Sequence, residues 1–171
     1  MDAFILLDGC DGIVENIFIV KNGFLDMDET VTIGDAFDNW RICKETQWSE
    51  FISDNNKNIV EAKCVIEKKD NTKASFVIYF AMNKVKIGEF EVEGISKKFE
   101  NWPVGEDCVG NMEVDIKGID LLSIIYSNTE PSFEEQLAIV KLEEFYASKV
   151  KNECNKNKYG DRKWNLRKRL L

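Results

Sequence analysis

Apolar and polar positions along the chain follow two periods. From residue 59, the segment IVEAKCVIEK sets Val60, Ala62, Cys64 and Ile66 against Glu61, Lys63 and Glu67. That alternation predicts a strand with one buried face. Beyond the turn-forming KDNTK, residues 74–82 (ASFVIYFAM) are apolar on both faces and predict the central strand of a sheet. GEFEVEG then places Phe90 and Val92 on one side and Glu89, Glu91 and Glu93 on the other. The connectors are short, so the three strands are expected to run as an antiparallel meander. Met112, Val114 and Ile116 alternate with Glu113, Asp115 and Lys117 and suggest a fourth strand.

The second period is helical. Thr32 stands at an N-cap position with Asp35 three residues on, and Ile33, Ala36, Phe37 and Trp40 follow on one helical face. The segment VTIGDAFDNW therefore reads as a structural keystone. Its apolar side chains point inward, Gly34 admits the close approach of a strand, and Trp48 and Phe51 seal the sheet edge. Asp38 and Asn39, on its polar side, stay open to a binding role. Ser132 and Glu135 form a second capping box. Phe133, Leu137, Val140 or Leu142, Phe145 and Tyr146 give the stripe of a long helix ending near Glu153. Residues 3–7 and 13–20 are apolar runs that fit strand or helix, as does IDLLSIIY at 119–126. The expected fold is a single α+β domain over residues 1–153. Its antiparallel meander sheet of three to four strands is packed by a short N-terminal helix and a long C-terminal helix. A basic tail occupies 154–171.

Composition narrows the chemistry. The 171 residues carry a net charge of −8. Nine Lys/Arg against two Asp/Glu from Lys149 onward leave −15 on the rest. An acidic body repels nucleic acid, so no DNA partner is expected, whereas the tail could hold anionic lipid or RNA. There is no histidine, which removes His-activated nucleophiles, His-ligated metals and a His pH switch. Five scattered cysteines without a Cys-x-x-Cys point to reduced thiols, with Cys43 and Cys64 as small core fillers. No apolar run reaches membrane-spanning length. FILLDGC, with Leu7 three residues before Cys10, is a poor match to a lipoprotein cleavage box: no Lys or Arg precedes it, and Asp2 and Asp8 interrupt it. A cytoplasmic address is favoured.

Thr32, Ile33, Gly34, Ala36, Phe37, Asp38, Trp40, Trp48 and Phe51, followed by the strands, carry a pattern of Thr-Ile-Gly-x-Ala-Phe-Asp-x-aromatic and then Trp-x-x-Phe. This resembles a bacterial domain of unknown function often found in lipoproteins and zinc-ribbon membrane proteins. The resemblance spans roughly residues 15–127, with 97–118 as an insertion. It implies a small helix-plus-sheet module and no activity that can be carried to a residue. The chain departs from that family in lacking the zinc ribbon and anchor and in adding the C-terminal helix and tail.

Three chemical readings remain. Asp26, Asp28 and Glu29 in LDMDET lack the Gly and the terminal Glu of a calcium loop, so a solvated acidic turn is expected. Glu61-Ala-Lys63 and Asp115-Ile-Lys117 match the Glu-x-Lys of metal-dependent nucleases, but such tripeptides arise on any charged strand face. Glu89, Glu91 and Glu93, with Glu61 and Glu67 across the sheet, could dock a basic partner, as a toxin-neutralising immunity protein does. The reading favoured is a non-catalytic protein-interaction module with no cofactor. Its candidate contact residues are Glu89, Glu91, Glu93, Asp38 and Asn39.

Overall fold

A computed structural model describes residues 13–69, 71–86, 88–105, 108–156 and 164–166; the apolar run at residues 3–7, read as strand or helix, and the Leu7–Cys10 box lie outside them. The chain runs α1 (Ile13–Asn22), α2 (Ile33–Asn39), β1 (Glu45–Ile52), β2 (Asn58–Lys69), β3 (Thr72–Met82), β4 (Phe90–Gly105), β5 (Cys108–Asp115), α3 (Leu121–Tyr126), α4 (Phe133–Lys156) and β6 (Trp164–Leu166). The strands stand in sequence order in one sheet. β1 to β5 pair antiparallel, and β6 pairs parallel to β5 through Gly110–Trp164, Asn111–Asn165 and Met112–Leu166.

The α+β meander is thus as expected, but three to four strands is too few. WSEF lies inside β1 as an edge strand rather than plugging an edge. β1 (ETQWSEFI) buries little: Trp48 faces the helices, Phe51 faces the other side, and Ile52 at its end is 67% exposed, too little for periodicity to detect. The second addition comes from the tail, where Trp164–Leu166 joins the sheet.

Helix α2 begins as its sequence predicts. Thr32 Oγ1 accepts from Asp35 N at 3.1 Å, and Ile33, Ala36, Phe37 and Trp40 are all buried. The Phe37 ring meets Trp48 at 5.7 Å and the Trp40 ring meets Phe76 at 5.6 Å. Trp40 Nε1 donates to Thr129 O at 2.7 Å, and Arg41 N donates to Asn128 Oδ1 at 2.7 Å, so the end of α2 is latched to the α3–α4 loop. Gly34 does permit a close approach, but by a helix rather than a strand. A Cβ there would lie 3.0 Å from the carbonyl oxygen of Lys21, in the last turn of α1.

Val60, Ala62 and Cys64 of β2 and Phe76, Ile78 and Phe80 of β3 form the main core with Val20 of α1, α2, and Leu121 and Ile125 of α3. A smaller cluster, Ala74, Phe99, Met112 and Val114, lies under Leu142 and Tyr146 of α4. The capping box of α4 is reciprocal: Ser132 N donates to Glu135 Oε2 at 2.7 Å and Glu135 N to Ser132 Oγ at 3.3 Å. Of the stripe assigned to that helix, only Leu142 and Tyr146 turn to the sheet. Ile139, Leu142, Tyr146 and Val150 face the sheet, and Gly110 lets Val150 come within 3.3 Å of where its Cβ would be. Phe133, Leu137, Val140 and Phe145 are exposed.

Cys43 and Cys64 are joined as a disulfide with Cα atoms 5.3 Å apart, which overturns the expectation of reduced thiols for this pair. Cys43 N donates to Trp40 O in the turn after α2. That turn swings the Cys43 sulfur over the helix face of β2, where Cys64 is fully buried. Among the described residues no helix is long and apolar enough to cross a membrane.

Two stability measurements check this frame. Phe37→Ala should cost about 3–5 kcal/mol in denaturant unfolding, the range for emptying an aromatic site in a core. Cys43→Ser, or wild type in a dithiol reductant, should lose about 3 kcal/mol, the loop-closure effect of a bond spanning 21 residues. A midpoint unchanged by reduction would count against the bond.

Candidate functional site

The helices cover one face of the sheet. The other carries its charged residues in rows set by strand register. Ser49, Glu61, Tyr79 and Gly94 lie side by side across β1 to β4; next come Gln47, Lys63, Val77, Ser96 and Asp115, then Val65, Ser75, Lys98 and Glu113. Their burial departs from the half-buried strand expected for β2. Glu61 is only 8% exposed and Lys63 9%. They sit in the interior of a sheet whose long neighbouring side chains cover one another.

These groups satisfy each other. Glu61 Oε1 accepts from Ser49 Oγ at 3.3 Å and lies 3.7 Å from Lys63 Nζ, while its Oε2 lies 3.5 Å from Lys98 Nζ. Lys63 also reaches Glu100 at 3.6 Å. Glu113 Oε1 accepts from Ser96 Oγ at 2.8 Å and from the Tyr79 hydroxyl. Burial, then the Glu113 charge, raises the Tyr79 phenol well above its ordinary range, so it stays a proton donor to that carboxylate. Burial, then Glu113 beside it, raises the Asp115 carboxyl. Every strand from β1 to β5 is joined by this lattice, and a one-residue slip of any strand would turn its members to the apolar face. In the Glu61-Ala-Lys63 motif, both carboxylate oxygens are already spanned by ammonium groups of the chain itself.

The glutamates predicted to form an acidic row do not align. Glu89 precedes β4 and lies 3.3 Å from Lys86. Glu91 is exposed opposite Ala81. Glu93 is the extra residue of a bulge, because Tyr79 pairs with Gly94 and Phe80 with Val92, and it lies 2.9 Å from Lys57. Glu67 follows another bulge and is exposed, apart from buried Glu61. Asp38 and Asn39 are exposed on α2, a separate element, where Asn39 Nδ2 donates to Asp35 O at 2.8 Å. In LDMDET, Asp28 Oδ1 accepts from Thr30 N at 2.8 Å and Thr30 Oγ1 at 2.6 Å, which holds its carboxyl below the ordinary range in a closed polar turn.

The feature that sequence reasoning misplaced is the outer face of α4. Phe133 is 79% exposed, Phe145 53%, Val140 43% and Leu137 42%. At 3.6 residues per turn, Phe133, Leu137 and Val140 fall within an arc of about 60°, and the buried Ile139, Leu142, Tyr146 and Val150 within about 80° on the far side. The helix therefore has two apolar stripes. Phe145 lies between the two stripes, about 80° from Leu137 and about 60° from Leu142, with Lys149 Nζ 4.2 Å from its ring centroid. Splitting the apolar positions by angle would have found the second stripe, because a single merged stripe wraps too far around the helix to face one surface.

Glu61→Ala should destabilise the fold by about 3–5 kcal/mol in denaturant unfolding, since it strands Lys63 and Lys98 without their shared carboxylate. Asp115→Asn should raise the thermal midpoint at pH 7. A carboxyl whose pKa is raised on folding penalises the native state once both states ionise. The advantage of Asn should shrink as pH falls toward 3.8, the ordinary Asp value, and vanish below it. No family model matches this chain, and neither a curated protein nor a solved structure matches it.

Proposed function

We propose that this protein is a non-catalytic interaction module and that it docks a protein partner on the outer face of α4. The observation that carries the reading is the solvent-facing stripe of Phe133, Leu137 and Val140. Scattered apolar side chains are ordinary on a surface, whereas a contiguous run along one helix face marks a contact. Helix α4 is also firmly mounted for the task. Its inner face packs on the second core cluster, and Lys97 Nζ donates to Glu143 at 2.5 Å. A partner would meet a rigid ridge rather than a mobile one.

The acidic residues first considered fit the role less well. Lys57 and Lys86 already engage Glu93 and Glu89, which reduces the field available to a basic partner. Buried Glu61 and half-buried Glu113 serve the sheet. Docking through α4 needs no charge from either set.

Site-specific photo-crosslinking in the native cell tests this. A photoreactive phenylalanine at position 137 should give a discrete protein adduct, and the same group at Val85, 90% exposed on the β3–β4 turn, should give none. Equal labelling at both positions, or none at either, would overturn the assignment of the face.

A further inference from the structure

We infer that Cys43 and Cys64 form a reversible dithiol–disulfide couple in the folded chain. Cys43 is the sulfur that exchanges with thiols in solution, and Cys64 is its resolving partner in the core. A disulfide reverses in a native protein only if its two sulfurs stay apposed once the bond is open. Here the backbone apposes them. Cys43 N donates to Trp40 O at 2.9 Å, and Lys44 N donates to Val65 O at 2.8 Å, one residue beyond Cys64. From Glu45 onward β1 and β2 pair in register, with Thr46 directly opposite Cys64. These bonds hold the chain on both sides of Cys43, and none of them involves sulfur. The Cα atoms, 5.3 Å apart, therefore keep disulfide spacing in either redox state.

The fold also accommodates both reduced sulfurs. Cys43 Sγ lies 3.5 Å from Glu45 O, which accepts from a thiol, and 3.6 Å from Thr46 Oγ1, whose hydroxyl donates to a thiolate. Cys64 is fully buried in the main core, where a free thiol packs as a small apolar group. Access divides the pair unequally: Cys43 is half-buried, whereas Cys64 has no exposed surface. An incoming thiolate therefore attacks the Cys43 sulfur. With glutathione as the thiol, its sulfur bonds to Cys43 Sγ as the Cys43–Cys64 bond breaks, and Cys64 leaves as a thiolate and takes up a proton. A second glutathione thiolate attacks the glutathione sulfur of that mixed disulfide, and Cys43 departs and is protonated. Two glutathione thiols become one glutathione disulfide, and their two electrons and two protons pass to the chain. In the reverse direction Cys43 attacks glutathione disulfide, and Cys64, already beside it, displaces the bound glutathione. The couple sits in the turn that begins at Trp40, so its redox state sets how firmly that turn is tied to β2.

The test is to equilibrate the native full chain in glutathione buffers of graded reduced-to-oxidised ratio, quench it with acid, alkylate it and map the thiols by mass spectrometry. Cys43 and Cys64 should pass together from bonded to alkylated and back without denaturant. Far-ultraviolet circular dichroism should stay unchanged across the range. In Cys64→Ala, glutathione disulfide should leave a lasting mixed disulfide on Cys43, because no thiol stands beside it to resolve it. In Cys43→Ala, Cys64 should react roughly tenfold more slowly than Cys43 does in the other variant, because burial shields it. A bond that opens only in denaturant overturns the inference. So does a reduced chain that has lost its secondary structure, a pair that stays reduced in glutathione disulfide, or equal reactivity of the two cysteines in the single variants. If neither variant folds, the titration of the wild type decides alone.

Discussion

The structure depends on one burial event, the insertion of Phe37 and Trp40 between the sheet and the other helices. Helix α2 has seven residues, too short to persist by backbone hydrogen bonding alone. It is held because its inward face is almost wholly aromatic and aliphatic. Phe37 meets Trp48 of the edge strand, Trp40 meets Phe76 of a central strand, and the indole N–H of Trp40 reaches the loop before α4. One short helix thereby ties the sheet edge, the sheet centre and the loop before the C-terminal helix together. Helix α4 itself is seated on the second cluster, over Phe99, Met112 and Val114, so the Trp40 bond fixes only the loop that leads into it.

Much of this was legible in the residues. Strong alternation in β2, the doubly apolar β3 and the capping pairs at Thr32 and Ser132 each correspond to one local rule, and each appears in the structure. What escaped was set by neighbours. β1 presents Trp48 and Phe51 on opposite faces, with only an exposed Ile52 beside them, and becomes a strand because β2 offers it an edge. The pairing of β6 with β5 adds three residues from a segment whose composition reads as a basic tail. Cys43 pairs with Cys64 because a turn after α2 folds over β2, a placement that spacing along the chain cannot reveal.

The candidate surfaces show the same division between local and distant causes. Alternation placed Glu61 and Lys63 on the non-helix face of β2. It could not show that register would surround them with Ser49, Lys98 and Glu100 and remove them from solvent. Bulges at Tyr79/Phe80 and at Val65/Glu67 broke the acidic row, and a bulge has no reliable sequence mark without a glycine in the right place. On α4 the sequence reading named Leu142 and Tyr146 among the apolar positions but not Ile139 or Val150, which the helix also buries. Their partition between inner and outer faces depends on which side the sheet approaches, and that is tertiary information.

The Cys43–Cys64 bond also bears on topology. Strand β1 stands at an open edge, the position from which a strand most readily leaves its own sheet and completes that of another molecule. Here β1 and its turn lie inside a covalent ring closed at residues 43 and 64, with β2 as the opposite side of the ring. While that ring is closed, β1 cannot be handed to a neighbour without carrying along β2, an interior strand with seven buried residues. Among the described residues β1 is thus an edge strand that the covalent ring keeps closed to strand exchange.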